Sequence, residues 1–260
     1  MQAPYGAGMR TEDIEYAFDG RRMVGHLAVD ESRSGPRPAV LVCHQGSGLD
    51  TQSRGRAELL ASLGYVAFAL DYLGEGRNYA DVMAPDADPD SPDRKMAKGA
   101  LDSYRSDRTR MRAVAKAGLD VLLAQPSVDP ARVAAIGYCF GGLMVLEMAR
   151  GGIDVKAVVA YHPSFPEPAP DETKAITAEV LICTGTDDPY GPAAARHAFE
   201  ADLVASGVTG WTIELYGGVG HAFANVDAKG HYPGVGYDAK ADRDSWRSTL
   251  DLLDHTIGPV

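Results

Sequence analysis

The sequence predicts an α/β fold, with a mostly parallel central sheet, helices on both faces and an antiparallel hairpin at the N-terminus. Three observations carry that expectation. Short apolar runs recur without polar alternation, helical patterns lie between them, and a turn dipeptide joins the first two strand-like segments. Strands buried on both faces of a sheet read as continuous apolar runs, and alternation with helices implies parallel pairing through right-handed crossovers.

Taken in order, "DIEYAFDG" and "RRMVGHLAVD" flank Asp19-Gly20. That dipeptide tolerates positive φ and so marks a hairpin. The runs "PAVLVCHQ", "YVAFALDY", "RVAAIGY", "VKAVVAYH", "EVLICTG" and "WTIELYGG" follow, each rich in Val, Ile and Ala. Between them, 54–63 reads as a helix closed by Gly64, the usual left-handed cap. Over 107–124, Met111, Val114, Ala115, Leu119 and Leu122 form one stripe, with Arg108, Arg110, Arg112, Lys116 and Asp120 elsewhere, the pattern of a half-buried helix. Residues 140–149 are apolar nearly all round and predict a buried helix; 192–206 and 241–256 are further helices.

The stretch 81–96, "DVMAPDADPDSPDRKM", has no period. It reads as a domain linker or as a surface loop over a site. The unbroken strand–helix alternation on either side favours the loop, and with it a single domain over 1–260.

Composition narrows the function. The chain has 260 residues, 45% of them hydrophobic, and a formal net charge of -11. That is ample for a core, and it argues against nucleic acid or an anionic membrane as partner, since polyanions are repelled. The N-terminal "MQAPYGAGMR" lacks a secretory pattern, and no run approaches the ~20 apolar residues that span a bilayer. Of three cysteines, Cys43 and Cys183 sit inside apolar runs and read as small buried hydrophobes. A reducing cytoplasm is the expected compartment, with the chain a monomer or small homo-oligomer.

The third cysteine is different. "GYCFG", Gly137 to Gly141, places Cys139 between an apolar strand and a buried helix. It is similar to the sharp strand–turn–helix elbow on which α/β-hydrolases carry their nucleophile, usually a serine. Glycine suits a turn where neighbouring elements pass too close for side chains. The elbow aims the Phe140 N–H and the positive end of the following helix at the thiol, favouring a thiolate and then an oxyanion.

A thiol nucleophile needs a base and an orienter, which in this fold follow in the order acid, then histidine. "LICTGTDDPYGP" ends a strand with Asp187 and Asp188, and "IELYGGVGHAFAN" ends another with His221. Both fall, with Cys139, at the carboxyl edge of parallel strands, where α/β sheets bind ligands. The two aspartates compete; the spacing of Asp188 to Pro192 fits the acid loop and favours it. "LVCHQGSGLD" can donate a second oxyanion N–H from Gly46, or be an ordinary glycine turn. Tyr138, beside the thiol, and His162, ending "VKAVVAYH", are candidates to line the pocket. His26, His197, His231 and His255 read as solvated or packed.

With "GYCFGG", "TGTDDPYGP", "GHAFAN" and "HQGSGLD" in place, the chain resembles the dienelactone hydrolase family in element order from about residue 12 to 256. The resemblance implies a single-domain hydrolase with Cys139 as nucleophile, His221 as base, Asp188 as its partner, Gly46 and Phe140 as oxyanion hole, and neither metal nor organic cofactor. Two positions depart from it. Family members that open dienelactones carry a glutamate where Gln45 stands, so activation here would fall to His221 alone. They carry an arginine to hold the substrate carboxylate where Asn225 stands; Arg77 is either a replacement cation or a solvated loop arginine. The expected reaction is cleavage of a small ester or lactone. The alternatives are a general carboxylesterase or thioesterase without dienelactone activity, and a non-catalytic ligand-binding member of the fold.

Overall fold

The computed structural model describes residues 8–84, 86–228, 230 and 233–260; Pro85 and His231 lie outside them. The chain divides into two compact units, Met1–Ala131 with Val260, and Arg132–Pro259.

In the first unit β1 (Met9–Phe18) and β2 (Arg21–Asp30) pair antiparallel, Met9 opposite Asp30 and Phe18 opposite Arg21. Asp19 and Gly20 both take positive φ, 50° and 72°, as a two-residue hairpin turn matching strand twist requires. The other edge of β2 meets β4 (Val66–Leu70) antiparallel, and β4 runs parallel to β3 (Arg37–Cys43). All residues of β3 and β4 are buried, which is why their sequences lack alternation. The crossover between β3 and β4 is α1 (Thr51–Leu63), started by Asp50, whose side chain accepts from Ser53 N, and stopped by Gly64 at φ 112°.

The 81–96 stretch holds more structure than its composition suggests. It contains α2 (Ala80–Met83) and the first turn of α3 (Pro92–Ser106). Ser91 caps α3 by accepting from Arg94 N, and Pro92 supplies a first-turn residue that needs no N–H partner. Ala97, Ala100, Leu101 and Tyr104 form its buried face. α4 (Arg108–Leu123) buries the expected stripe of Met111, Val114, Ala115, Leu119 and Leu122 and packs on β1, β3 and β4. Each fully buried leucine of such a face contributes about 1.5–3 kcal/mol.

The second unit carries four parallel strands in sequence order, β5 (Val128–Tyr138, in this unit from Arg132 on), β6 (Ala157–Tyr161), β7 (Glu179–Gly185) and β8 (Trp211–Tyr216). Its helices are α5 (Phe140–Arg150), α6 (Pro170–Thr173), α7 (Ala193–Ala205) and α8 (Ala239–Ile257). α5 packs on β6, and α8 on β6 and β7. Tyr138, Tyr161 and Cys183 stand in register across three strands, and Gly185 faces Tyr216. The segments that follow, at 139, 162, 186–188 and 217–221, therefore emerge along one edge. Among the described residues no helix is long and apolar enough to cross a membrane, and no cluster of His, Cys, Asp and Glu could hold a metal ion.

Candidate active site

At the end of β5, Cys139 takes φ 55° and ψ -113° before α5 begins at Phe140. A non-glycine residue there costs about 1–3 kcal/mol, and such strain collects at functional turns. The turn is held by Cys139 N donating to Tyr161 O at 3.0 Å and Leu143 N donating to Cys139 O at 3.2 Å. Gly137 is obligatory: a Cβ there would lie 2.0 Å from Gly141 O. Cys139 is partly exposed, whereas Cys43 and Cys183 are buried. Burial pushes both of those thiols far up, with the Glu214 charge adding to it at Cys183, so neither ionises.

Asp188 follows β7 and is 3% exposed. Its Oδ2 lies 2.9 Å from His221 Nδ1, and its Oδ1 accepts from Tyr190 N and Gly191 N at 2.8 and 3.1 Å. Asp187 instead accepts from the Thr186 hydroxyl on the surface. Of the two competing aspartates, Asp188 is the one that meets the histidine.

The loop after β8 delivers His221. Gly185 lets it approach, since a Cβ on Gly185 would strike Val219 O at 1.9 Å. His221 N donates to Gly234 O at 2.7 Å and Gly236 N donates to His221 O at 2.9 Å. The ring is buried and hydrogen-bonded to the Cys139 side chain as well as to Asp188. Burial is the largest single influence on it and works downward. The facing Cys139 charge and the two hydrogen bonds outweigh burial and raise His221 from 6.5 to about 10. Cys139, His221 and Asp188 thus form one hydrogen-bonded line, with charge favoured on the imidazole.

The remaining candidates fall in different places. Phe140 opens α5 directly after the thiol. Tyr138 is fully buried, stacked on Tyr161 at 4.7 Å. His162 is fully buried too, its ring 4.8 Å from that of His221. Asn225 is a turn residue: its Oδ1 accepts from Asp227 N at 2.9 Å and its O from Ala228 N at 3.0 Å. On the first unit, Arg77 pairs bidentately with Asp93 at 2.6 and 3.2 Å and lies over the Tyr79 ring.

Gly46 lies in a loop that Leu49 N, donating to Arg77 O, and Tyr79 N, donating to Ser47 O, tie to the 77–79 segment. Gln45 Nε2 donates to Asp50 Oδ2 at 2.6 Å, while Asp50 Oδ1 accepts from Ser53 N and Ser53 Oγ. The buried Asp50 therefore relies on a donor at position 45. Gln45→Glu is expected to lower unfolding free energy by about 1–3 kcal/mol at neutral pH, where two carboxylates would meet. Carboxylates sharing a site hold a proton more tightly, so the deficit shrinks as pH falls toward about 4. Urea unfolding of both proteins at the two pH values reads this; equal midpoints at neutral pH would rule it out.

Residue-by-residue reading missed Asp50, Tyr190 and Asp71. Asp71, after β4, accepts backbone N–H from Val24, Leu73, Gly74 and Gly76 and so shapes the loop leading to Arg77. Its signal was available as an aspartate before a glycine-rich turn, "DYLGEG". Tyr190 had none: its edge contact with His221, 4.7 Å between centroids, is tertiary.

Parallel strands with a strained cysteine elbow, an aspartate loop and a histidine loop at their carboxyl ends define an α/β-hydrolase. The family model described as the dienelactone hydrolase family matches residues 24–257, and the chain belongs to that family. It is 27% identical over 254 residues to a carboxymethylenebutenolidase of a Pseudomonas species, covering 94% of this chain and 95% of that one. A putative carboxymethylenebutenolidase of Yersinia pestis is 24% identical over 270 residues, covering 97% and 91%. Among solved structures, a dienelactone hydrolase-like promiscuous phosphotriesterase from metagenomic libraries superposes with a TM-score of 0.86 at 33% identity, covering 96% of this chain and 99% of that one.

Proposed function

We propose that this hydrolase cleaves uncharged carboxylic esters or lactones through a Cys139 nucleophile, with His221 as acid and base and Asp188 as its orienter. The observation that carries the reading is the hydrogen-bonded line from Asp188 through His221 to Cys139. The Cys139 thiolate attacks the carbonyl carbon, and the Phe140 N–H takes the oxyanion. The C–O bond breaks, the leaving oxygen takes the His221 proton, and a thiolester remains on Cys139. Acylation removes the Cys139 charge, the main influence holding His221 up. Burial then lowers its pKa, and the neutral ring takes a proton from water for deacylation. The family model spans both compact units, which supports reading 1–260 as one catalytic domain. The thiol chemistry suits a reducing cytoplasm.

The uncharged substrate follows from the cations. Asn225 serves a turn and Arg77 is paired with Asp93, which favours general carboxylesterase activity over the opening of dienelactone carboxylates. The experiment is a panel of neutral aryl and alkyl esters, lactones, thioesters and a dienelactone carboxylate, with mass spectrometry of the quenched enzyme. The expected result is turnover of neutral esters at least about tenfold above the carboxylate, with the acyl group on Cys139. An acyl adduct elsewhere, or preference for the carboxylate, overturns the reading. A phosphotriester belongs in the panel because of the metagenomic relative.

A further inference from the structure

His162 ends β6 in a position that packing alone does not explain. It is fully buried, its φ is 36°, and neither ring nitrogen has a hydrogen-bond partner among the described residues. A left-handed backbone and two orphaned polar atoms are each unfavourable in a core. An apolar ring would avoid the second. In the second unit the non-glycine residues with positive φ are Cys139, His162 and Ala222, among the described residues. All three stand at or beside the cysteine–histidine pair.

The contacts explain the position. The ring of His162 meets that of His221 at 4.8 Å and 68°, and that of Phe223 at 5.3 Å and 82°. Its backbone is anchored by His162 N donating to Cys183 O at 2.7 Å, while the preceding Tyr161 O accepts from Cys139 N at 3.0 Å. The 161–162 corner therefore holds the thiol through its backbone and the imidazole through a ring. Resting on the proposed chemistry, we infer that His162 is a positioning residue for His221, its buried ring setting the plane in which His221 meets both Cys139 and Asp188.

Electrostatics agree with that geometry. The titratable groups facing His221 among the described residues are Cys139 from the elbow, Asp188 and Tyr190 from the acid loop, and His162 from the end of β6. Burial first, then the neighbouring His221 charge, drive His162 well below its ordinary 6.5. The ring thus stays uncharged while His221 carries the proton, so it adds no second cation to repel the imidazolium it packs against.

The test uses two variants and one measurement on the unaltered protein. His162→Ala removes the ring, and His162→Phe keeps a ring without the orphaned nitrogens. In protein shown folded by circular dichroism, His162→Ala is expected to lower kcat on a small activated ester about tenfold or more, with KM changed less than about twofold. His162→Phe is expected to stay within about threefold of the parent. Iodoacetamide labelling of Cys139 against pH gives a readout without turnover: its midpoint moves up in His162→Ala and not in His162→Phe. An alanine variant with parental kcat and labelling profile overturns the inference. So does a phenylalanine variant as impaired as the alanine one, because that outcome assigns the effect to the nitrogens. Should either variant fold poorly, ¹⁵N-histidine NMR of the parent decides. His162 is expected to stay neutral through the range in which an ordinary histidine takes up its proton and to shift when Cys139 is alkylated. Ordinary titration with no response to alkylation refutes the coupling. Labelling and NMR are independent of turnover, so they separate failure of this inference from failure of the catalytic reading.

Discussion

Cys139→Ala is expected to lower kcat/KM for a small activated ester by about 10⁴-fold or more, and His221→Ala by nearly as much, because residues that act as a unit lose most of their effect together. Asp188→Asn is expected to cost about 10²–10⁴-fold. The amide would keep the hydrogen-bonding shape and remove the charge that now lies 2.9 Å from His221 Nδ1. The double variant Cys139→Ala/His221→Ala should fall little below either single one. The pH dependence follows from the same geometry. His221 is held up at about 10, so at pH ~6 it is protonated and faces the thiol as a cation. An opposing cation favours thiolate, whereas an ordinary cysteine with a pKa of ~8.5 is almost wholly protonated there. Iodoacetamide should therefore label Cys139 readily at pH ~6 in the parent protein and slowly in His221→Ala. Stopped assays and labelling rates on folded variants check both. Retained turnover in Cys139→Ala would remove the mechanism outright.

The second large effect lies at the other end of the helix that starts at the elbow. Arg150→Met is expected to lower unfolding free energy by about 3–5 kcal/mol. The guanidinium has no exposed side-chain surface and meets Glu147 Oε1 at 2.8 Å and Asp202 Oδ2 at 3.0 Å. It also donates to Thr173 Oγ1 and Glu167 O. It joins α5 to α6 and α7 through atoms with no access to water. Removing it takes the guanidinium away from two buried carboxylates, which costs far more than the lost contacts. For a chain of this size that is a fall in melting temperature of roughly 10 °C. Replacing Arg150, Glu147 and Asp202 together by apolar residues of similar volume should recover most of the loss, since well-packed apolar groups often match a buried ion cluster. A calorimetric melt of the single and triple variants reads both. A single variant melting with the parent would show that the cluster contributes nothing net.

Neither α3 nor the Arg150 cluster was legible in the residues, for different reasons. The Pro- and Asp-rich composition of 81–96 signals loop, yet Ser91 and Pro92 start α3 inside it, because a proline costs nothing in the first turn of a helix. Arg150 reads as an exposed cation closing a helix, a favourable place for positive charge by itself. Its partner Asp202 is 52 residues away, and no local pattern announces that burial. The family resemblance marks Gln45 only as standing at a glutamate's position; its local duty at Asp50 is exposed by the turn geometry alone.

What the sequence determined by itself is the strand–helix alternation and a candidate line of Cys139, His221 and one of the neighbouring aspartates, Asp187 or Asp188. Strands buried on both faces must be continuously apolar, and groups needed at one edge must follow such strands directly. Glycines must also stand where loops touch, as Gly137 and Gly185 do. These are local demands, and local demands leave marks in a chain. Tertiary structure decided which aspartate reaches the imidazole, that Arg77 is paired with Asp93, that Asn225 closes a turn, and that His162 lies against His221. Each depends on where a side chain points after distant segments have packed, and no spacing along the chain encodes that direction.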